Sequence, residues 1–217
     1  MGDALAGTVI AVSSDPAHRF SKLVRPHIRL IEDFGIEGDA HAGRLVKHRY
    51  DARRTPDRPN LRQIHLIQYE LFSELEALGF VVQPGQLGEN VTTRHLDLLR
   101  LPLTCRLHLG ASAVVELTGL RTPCGYIDKF QKGLKRAMII RAAPGSLTFR
   151  AGVLGVVHSG GDVAARPIPM LPPAPPRLST ITCWPSAVES LSATMRAIES
   201  TPPPGGYGTI SVIGWLG

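Results

Sequence analysis

The sequence contains no long apolar run, and this limits where the protein can reside. No stretch approaches the roughly 18 uninterrupted apolar residues that a membrane helix needs, and Met1–Val12 has no basic segment preceding an apolar one. A secretory signal would require both features. We therefore expect no membrane association and a cytoplasmic location.

Cysteine is also scarce, with three residues in 217: Cys105, Cys124 and Cys183. They are too few and too scattered for a disulfide framework. None forms a CxxC pair, which argues against a structural zinc site, and three separate cysteines cannot hold an iron–sulfur cluster. Each is interpreted as an individual thiol, whose default role is that of a small buried hydrophobe.

Aromatic residues are few at 6%, whereas basic residues are in surplus, with a net charge of +6. Between Arg44 and Arg62 there are seven Lys or Arg against two acids, and a second basic stretch runs from Arg19 to Arg29. Tyr50 alone interrupts the first stretch with an aromatic ring, so a base-stacking surface for nucleic acid is poorly supported. A small anionic ligand fits at least as well, and a solvated basic loop is the alternative.

Short segments of alternating or apolar pattern, separated by turns, predict a mainly β fold. Only two modest helices are expected, around Tyr69–Leu78 and Gly133–Ala142. This combination indicates a strongly curved small β-barrel with a few short helices. The predicted strands are Gly7–Ser13, His27–Glu32, Arg62–Gln68, Thr104–Leu109, Ala113–Thr118 and Gly152–His158.

The composition changes near residue 167, where six prolines follow between Pro167 and Pro176. Such a segment favours an extended, exposed chain. We therefore divide the sequence into a β-barrel domain, residues 1–166, and a Pro-rich C-terminal appendage, residues 167–217, without a sizeable core of its own.

Four glycine-rich clusters combine glycines with polar residues at strand ends. Loops of this kind commonly form ligand sites where they converge at the mouth of a barrel. The clusters are Gly35–Gly43 (GIEGDAHAG), Pro84–Thr93 (PGQLGENVTT), Gly119–Gly125 (GLRTPCG) and Gly152–Asp162 (GVLGVVHSGGD).

Cys124 is the candidate reactive thiol. Pro123 fixes the backbone before it and Gly125 allows a turn after it, so the thiol is presented on a rigid turn beyond a strand. Arg121 lies three residues earlier, and a nearby cation favours the thiolate form. Cys105 and Cys183 lack such a setting and are interpreted as structural.

Several other residues are candidates for the same site. Asp39 and His41 could supply a general base or a proton relay to a thiolate, although His41 could equally be a hydrogen-bonding turn residue. Asn90 and Thr92 offer uncharged donors, and Ser21 beside Lys22 suits a phosphate group. His65, in an alternating strand, is interpreted as structural.

The ordered set of motifs resembles the MOSC domain, the molybdenum cofactor sulfurase C-terminal domain, of the stand-alone type. The matching pieces run from about Gly7 to Pro176 and comprise FSK, GIEGDAHAG, RQIH, PGQLGENVTT, DLL, GLRTPC and AGVLGVVHSGGD. The resemblance implies a barrel related to that of pyruvate kinase. It also implies that Cys124 matches the family's single invariant cysteine.

In one group of family members this cysteine is proposed to ligate molybdenum of a bound molybdenum cofactor (molybdopterin), so the resemblance implies that Cys124 could be a metal ligand. Our candidate catalytic residues are Cys124, His41 and Asp39. Cofactor binding would involve Ser21, Lys22, Arg62, Asn90, Thr92, Arg121 and Thr122. Family members of this kind reduce N-hydroxylated compounds with electrons from a separate donor.

Two alternatives remain open at this point. Cys124 could instead carry a persulfide for metal–sulfur cofactor assembly, received from a cysteine desulfurase, or the protein could be an anion- or nucleic-acid-binding module. The desulfurase domain that precedes some MOSC domains has no counterpart in this sequence, so no pyridoxal phosphate lysine site is identified. The sequence thus leaves open whether the protein is an oxidoreductase or a sulfur transferase.

Overall fold

The computed structural model describes residues 5–47, 53–143 and 146–166, together with the backbone of residues 209–212. The strands within these residues are β1 (Leu5–Ser14), β2 (Leu23–Arg25), β3 (His27–Ile31), β4 (Gly35–Ile36), β5 (Ile64–Gln68), β6 (Val91–Arg94), β7 (Arg106–Leu109), β8 (Ala113–Leu120), β9 (Ile139–Ala143), β10 (Ser146–Phe149), β11 (Val153–Ser159), β12 (Gly161–Ala164) and β13 (Thr209–Val212). The α-helices are α1 (Glu70–Ala77), α2 (Gly125–Phe130) and α3 (Leu134–Ala137), and a short 3₁₀-helix spans Leu98–Arg100. A mainly β fold with few short helices is therefore confirmed.

The main sheet has eight strands in the order β13-β7-β8-β11-β5-β6-β1-β2. Strands β5 and β6 pair in parallel, and the other neighbours in this sheet are antiparallel. Strand β13 also pairs with β1. A three-stranded sheet, β12-β3-β4, and the β9–β10 pair complete the β structure of the described residues. The strongly curved barrel predicted from the sequence stays a prediction.

The C-terminal part of the chain was assigned to an appendage, and the structure describes only one piece of it. Residues 209–212 form β13, which joins the main sheet between β1 and β7. The sequence did not predict this pairing, because a short segment after a proline-rich stretch gives no sign of its partner strands. Residues 167–208 and 213–217, including Cys183, lie outside the described part.

Alternating burial explains why the predicted strands form. In β8, residues from Ala113 onward alternate between buried and partly exposed, as expected for a strand with one face on the core. The largest buried cluster lies between the main and three-stranded sheets and includes Leu30, Leu66 and Leu107. Cys105 also belongs to this cluster and is disulfide-bonded, so the expectation of an individual thiol is wrong for that residue.

A second apolar cluster packs the helices against one end of the sheet. Helix α1 contributes Leu71, Phe72 and Leu75 from one face, as its 3.6-residue periodicity predicts. Helices α2 and α3 add Ile127 and Leu134. Because Cys124 packs against this cluster, the loop that carries it is fixed by apolar burial on one side.

The second predicted helix, Gly133–Ala142, is largely wrong. Only Leu134–Ala137 is helical, and the chain then enters β9, which pairs with β10. The β-branched pair Ile139–Ile140 favours a strand once a partner is present, and tertiary pairing overrides the weak helical pattern. No helix of the described residues is long and apolar enough to cross a bilayer.

Candidate functional site

Residues from all four glycine-rich clusters converge on one cavity of about 440 Å³. Its size falls within the range of small-molecule sites. The wall is formed by His18, Arg19, Phe20, Lys22, His41, Arg53, Arg62, His65, Gly88, Asn90, Arg121, Thr122, Cys124, Tyr126 and Leu154. The cavity therefore gathers seven of the ten residues proposed from the sequence.

The lining of the cavity is strongly one-sided in charge. It includes five Lys or Arg side chains and no Asp or Glu. Phe20, Tyr126 and Leu154 add apolar surface, and the rings of Phe20 and Tyr126 stack with their centroids 6.4 Å apart. Such a wall favours an anionic ligand with a part that can lie against aromatic rings.

Cys124 lies where the sequence predicts it, in the turn between β8 and α2. Its backbone is extended, with φ −94° and ψ 170°, and its carbonyl accepts a hydrogen bond from Ile127 N at 3.2 Å. The side chain is half-buried in the cavity wall and is the free cysteine of the described residues. The thiol is thus fixed in place and reachable from the cavity.

Arg121 supplies the cation nearest to Cys124 along the chain. Its Nη1 donates to the Leu87 carbonyl at 2.9 Å, and its backbone N–H donates to the Gly152 carbonyl at 2.9 Å. Burial lowers the pKa of Arg121 from its ordinary value, while the negative charges of Cys124 and Glu89 oppose that shift. Since arginine stays protonated in proteins, Arg121 places a fixed positive charge close enough to interact with Cys124.

Lys22 is a buried ammonium at the cavity wall. Its Nζ lies 2.8 Å from Asp39 Oδ2, and both side chains are nearly inaccessible to solvent. Burial lowers the pKa of Lys22, and the charge of Asp39 and its hydrogen bond oppose the shift. Burial alone would raise the pKa of Asp39, but the hydrogen bond from His41 and the Lys22 charge outweigh it and hold that pKa well below its usual range.

His41 lines the cavity, whereas Asp39 does not. The backbone N–H of His41 donates to Asp39 Oδ1 at 2.9 Å, and His41 Nδ1 lies 3.3 Å from the same oxygen. A carboxylate only accepts hydrogen bonds, so Nδ1 is the donor in this contact. Asp39 thereby fixes the orientation of the His41 ring from behind the wall.

Of the uncharged polar candidates, Asn90 and Thr122 line the cavity, whereas Ser21 and Thr92 make contacts elsewhere. Asn90 lines the cavity, and its Nδ2 donates to Asp39 Oδ2 and Ser13 O, each at 3.1 Å. Thr92 is buried in β6, where its hydroxyl donates to Glu89 at 3.3 Å. The Ser21 hydroxyl donates to Gln86 O at 2.9 Å. Neither Ser21 nor Thr92 is part of the cavity wall.

The loop from Gly85 to Glu89 is organised by one buried acid that the sequence analysis missed. Glu89 is fully buried, and its carboxylate accepts the backbone N–H groups of Gly85 at 2.5 Å and Leu87 at 3.1 Å. Burial raises the pKa of Glu89, and the Gly85 hydrogen bond opposes the shift. Because Arg121 is held by the Leu87 carbonyl, Glu89 fixes Arg121 through this loop.

Arg62 and Thr122 line the cavity as expected, and Arg53 from the basic loop joins them. Asn60 anchors this side of the wall: its Nδ2 donates to His41 O at 2.8 Å and Gly43 O at 2.9 Å. Its Oδ1 accepts the backbone N–H of Arg62 at 3.0 Å. Asn60 therefore ties two parts of the cavity wall together.

Several lining residues were not assigned to the site from the sequence. Tyr126 stands two positions after Cys124, and Phe20 adjoins Ser21, so proximity to the motifs was the available signal. His65 was interpreted as structural: its Nε2 bonds to Ala151 O at 2.7 Å, and burial together with the Arg121 charge lowers its pKa well below the ordinary value. It nevertheless forms part of the wall.

A protein-only metal site is not found in the part of the chain that the structure describes, since no three His, Cys, Asp or Glu residues lie close enough together.

Two solved structures share the fold: the YuaD protein from Bacillus subtilis, at 20% identity and TM-score 0.62, covering 76% of this chain and 94% of that one, and YiiM from Geobacillus stearothermophilus, at 16% identity and TM-score 0.50, covering 73% and 71%. No curated protein matches the chain. The family model of the MOSC domain matches residues 41–165, more than half of the sequence. The chain belongs to the MOSC domain family.

Proposed function

We propose that the cavity binds the molybdenum cofactor, with Cys124 as the protein ligand of molybdenum, and that the protein reduces N-hydroxylated compounds with electrons from a separate donor. One observation carries this proposal. A free, half-buried thiol and five Lys or Arg side chains share a single wall that contains no carboxylate.

The residues of the wall fit such a group. Lys22, Arg62 and Arg121 would hold its phosphate, and Asn90 and Thr122 would face its polar ring edges. Phe20 and Tyr126 offer a surface for planar rings. When bound, the cofactor would supply two-electron redox chemistry that amino-acid side chains lack.

The chain's own groups prepare the site for this role. A cysteine that ligates metal carries negative charge, and Arg121, held by the Leu87 carbonyl, would offset that charge. Lys22 offsets ligand charge in a water-poor part of the cavity, where electrostatic contacts are stronger than in bulk water. His41, oriented by Asp39, is our candidate for moving a proton at the cavity surface.

The alternative function is a sulfur carrier with a persulfide on Cys124. It is favoured by the position of Cys124 in a turn that is half-exposed to the cavity, together with the adjacent cation. A cysteine desulfurase would then be the partner. The third candidate is an anion- or nucleic-acid-binding module. Arg53 and Arg62 line the cavity, and this position favours a small anion over nucleic acid as their ligand.

We also propose that the fold closes into the strongly curved barrel typical of the family. The pairing of β13 with both β1 and β7 supports this, because it joins two strands from distant places in the sheet order. The cytoplasmic location and the appendage after residue 166 remain proposals based on the sequence.

The proposal is tested by metal analysis of protein purified from a host that makes the cofactor. Wild-type protein should contain molybdenum and pterin, and with a chemical reductant it should reduce a simple amidoxime. Cys124→Ser should lose both properties. His158→Phe, at an exposed strand position outside the cavity, should retain them. Wild-type protein without molybdenum, but with a sulfur adduct on Cys124 after treatment with a desulfurase, would establish the carrier function instead.

A further inference from the structure

The carboxylate of Asp39 has no free side from which to act on a substrate. Oδ1 accepts from His41 N at 2.9 Å and from His41 Nδ1 at 3.3 Å. Oδ2 accepts from Lys22 Nζ at 2.8 Å, Asn90 Nδ2 at 3.1 Å and Asp15 N at 3.3 Å. Five contacts exceed the roughly four lone-pair sites of a carboxylate. Asp39 also stands outside the cavity wall.

The ammonium of Lys22 is arranged in the opposite way. An ammonium has three N–H donors, and within the described residues Nζ makes one hydrogen bond, to Asp39. The Lys22 side chain is only 4% exposed to solvent, and it lines the cavity. Donors thus remain for a ligand on the cavity side, while the counter-charge sits on the protein side.

From this arrangement we propose that Asp39 is a positioning residue, whose carboxylate keeps Lys22 charged and fixed at the wall so that the ammonium contacts the bound anion. The proposal rests on the anion-binding role of the cavity and replaces the direct proton-transfer role predicted for Asp39. His41 is positioned by the same carboxylate.

The surroundings of Lys22 explain why the lysine needs this partner. Burial disfavours its charged form, and the Arg121 guanidinium acts in the same direction. Asp39 opposes both effects from 2.8 Å, and Glu89 adds a weaker attraction. The buried His65 ring is held neutral and adds no charge. Without Asp39, the pKa of Lys22 would fall further below its ordinary value.

The test measures sulfate affinity against pH, because sulfate keeps its double charge throughout the range used. Calorimetric titrations are made from about pH 7 to about pH 10. This range lies below the ordinary lysine pKa of about 10.4, where a lowered pKa of Lys22 would be observed. A Cys124→Ser background removes the titration of the thiol. Asp39→Asn is compared with Asp15→Asn, a second buried aspartate, whose partner Arg19 does not titrate in this range.

Asp39→Asn should move the alkaline loss of sulfate binding to lower pH by about 1–3 units, the usual effect of one close opposite charge. Between the two midpoints, sulfate should bind about tenfold more weakly or worse. Asp15→Asn should leave the midpoint unchanged. A purely structural role would weaken binding equally at every pH, and that result would overturn the proposal.

Asp39→Asn could fail to fold, since it leaves a buried lysine unpaired. The double variant Lys22→Met, Asp39→Asn removes both charges and should fold. The residual sulfate affinity of this double variant should not fall with rising pH in the alkaline range. An alkaline loss of binding at the same pH as in the wild type would refute the role of Lys22. If sulfate does not bind the wild type at all, the anion contact is refuted, whereas the molybdenum content still decides the proposed function separately.

Discussion

Gly88 provides a quantitative test of how the cavity wall is built. Its φ is +81°, and a Cβ at this position would lie 2.6 Å from the Phe20 carbonyl oxygen. The two segments cannot easily separate, because Lys22 N donates to Gly85 O at 2.8 Å and the Ser21 hydroxyl donates to Gln86 O at 2.9 Å. Gly88→Ala therefore combines a left-handed backbone cost with a steric clash.

Two contributions set the size of the effect. A left-handed conformation costs a non-glycine residue about 1–2 kcal/mol, and forcing an extra methyl into packed structure costs about 1–3 kcal/mol. Gly79→Ala is the matched control: its φ is +87°, it follows α1, and a Cβ there would meet nothing within 4 Å. Gly79→Ala should pay the first contribution alone.

The assay is urea unfolding of the wild type and both variants. The dependence of the free energy of unfolding on urea concentration, the m-value, is compared with that of the wild type, because an unchanged m-value shows that only stability has changed. Gly88→Ala should be less stable than Gly79→Ala by about 1–3 kcal/mol, and its sulfate affinity should fall because Gly88 and Phe20 line the cavity. Equal destabilisation of the two variants would refute the close approach of the Gly85–Glu89 loop to the segment that carries Phe20.

Three further predictions follow from individual contacts. Asn60→Ala should lower the free energy of unfolding by about 1–3 kcal/mol, because it leaves two backbone carbonyls without their donor, and Asn60→Asp should not rescue it in the same urea assay. Iodoacetamide should label Cys124 but not the fully buried Cys105 in native protein, as mapped by peptide mass spectrometry. The folded-state pKa of Asp39 lies below its unfolded value, so its contribution to stability is present at neutral pH and lost as the pH falls below about 4; Asp39→Asn should flatten this part of the stability–pH curve.

The strands were predictable where alternation was regular, as in His27–Ile31 and Ala113–Leu120. Local pattern suffices there because one face of each strand is buried. The β9 strand was missed because its pairing with β10 is a tertiary property. Likewise, the local sequence of Thr209–Val212 does not predict that this strand pairs with β1 and β7.

The site could be predicted as a set of motifs but not as a division of roles. The sequence analysis proposed Cys124, Lys22 and Arg121 because a thiol and cations beside glycine turns have a recognisable chemistry, and all three line one cavity, although their roles stay predictions. Glu89 was missed, although it belongs to one of the motifs, since its function is to bind backbone N–H groups of its own loop. Asp39 was assigned proton transfer because the sequence does not show how many donors surround a carboxylate.

The most direct test of the central claim is the mass of the native protein purified from a cofactor-producing host. Native mass spectrometry should show wild-type protein carrying the added mass of a molybdenum–pterin group, and Cys124→Ser carrying none. Wild-type protein with an unmodified Cys124, or with a single added sulfur there, would contradict molybdenum binding in this cavity.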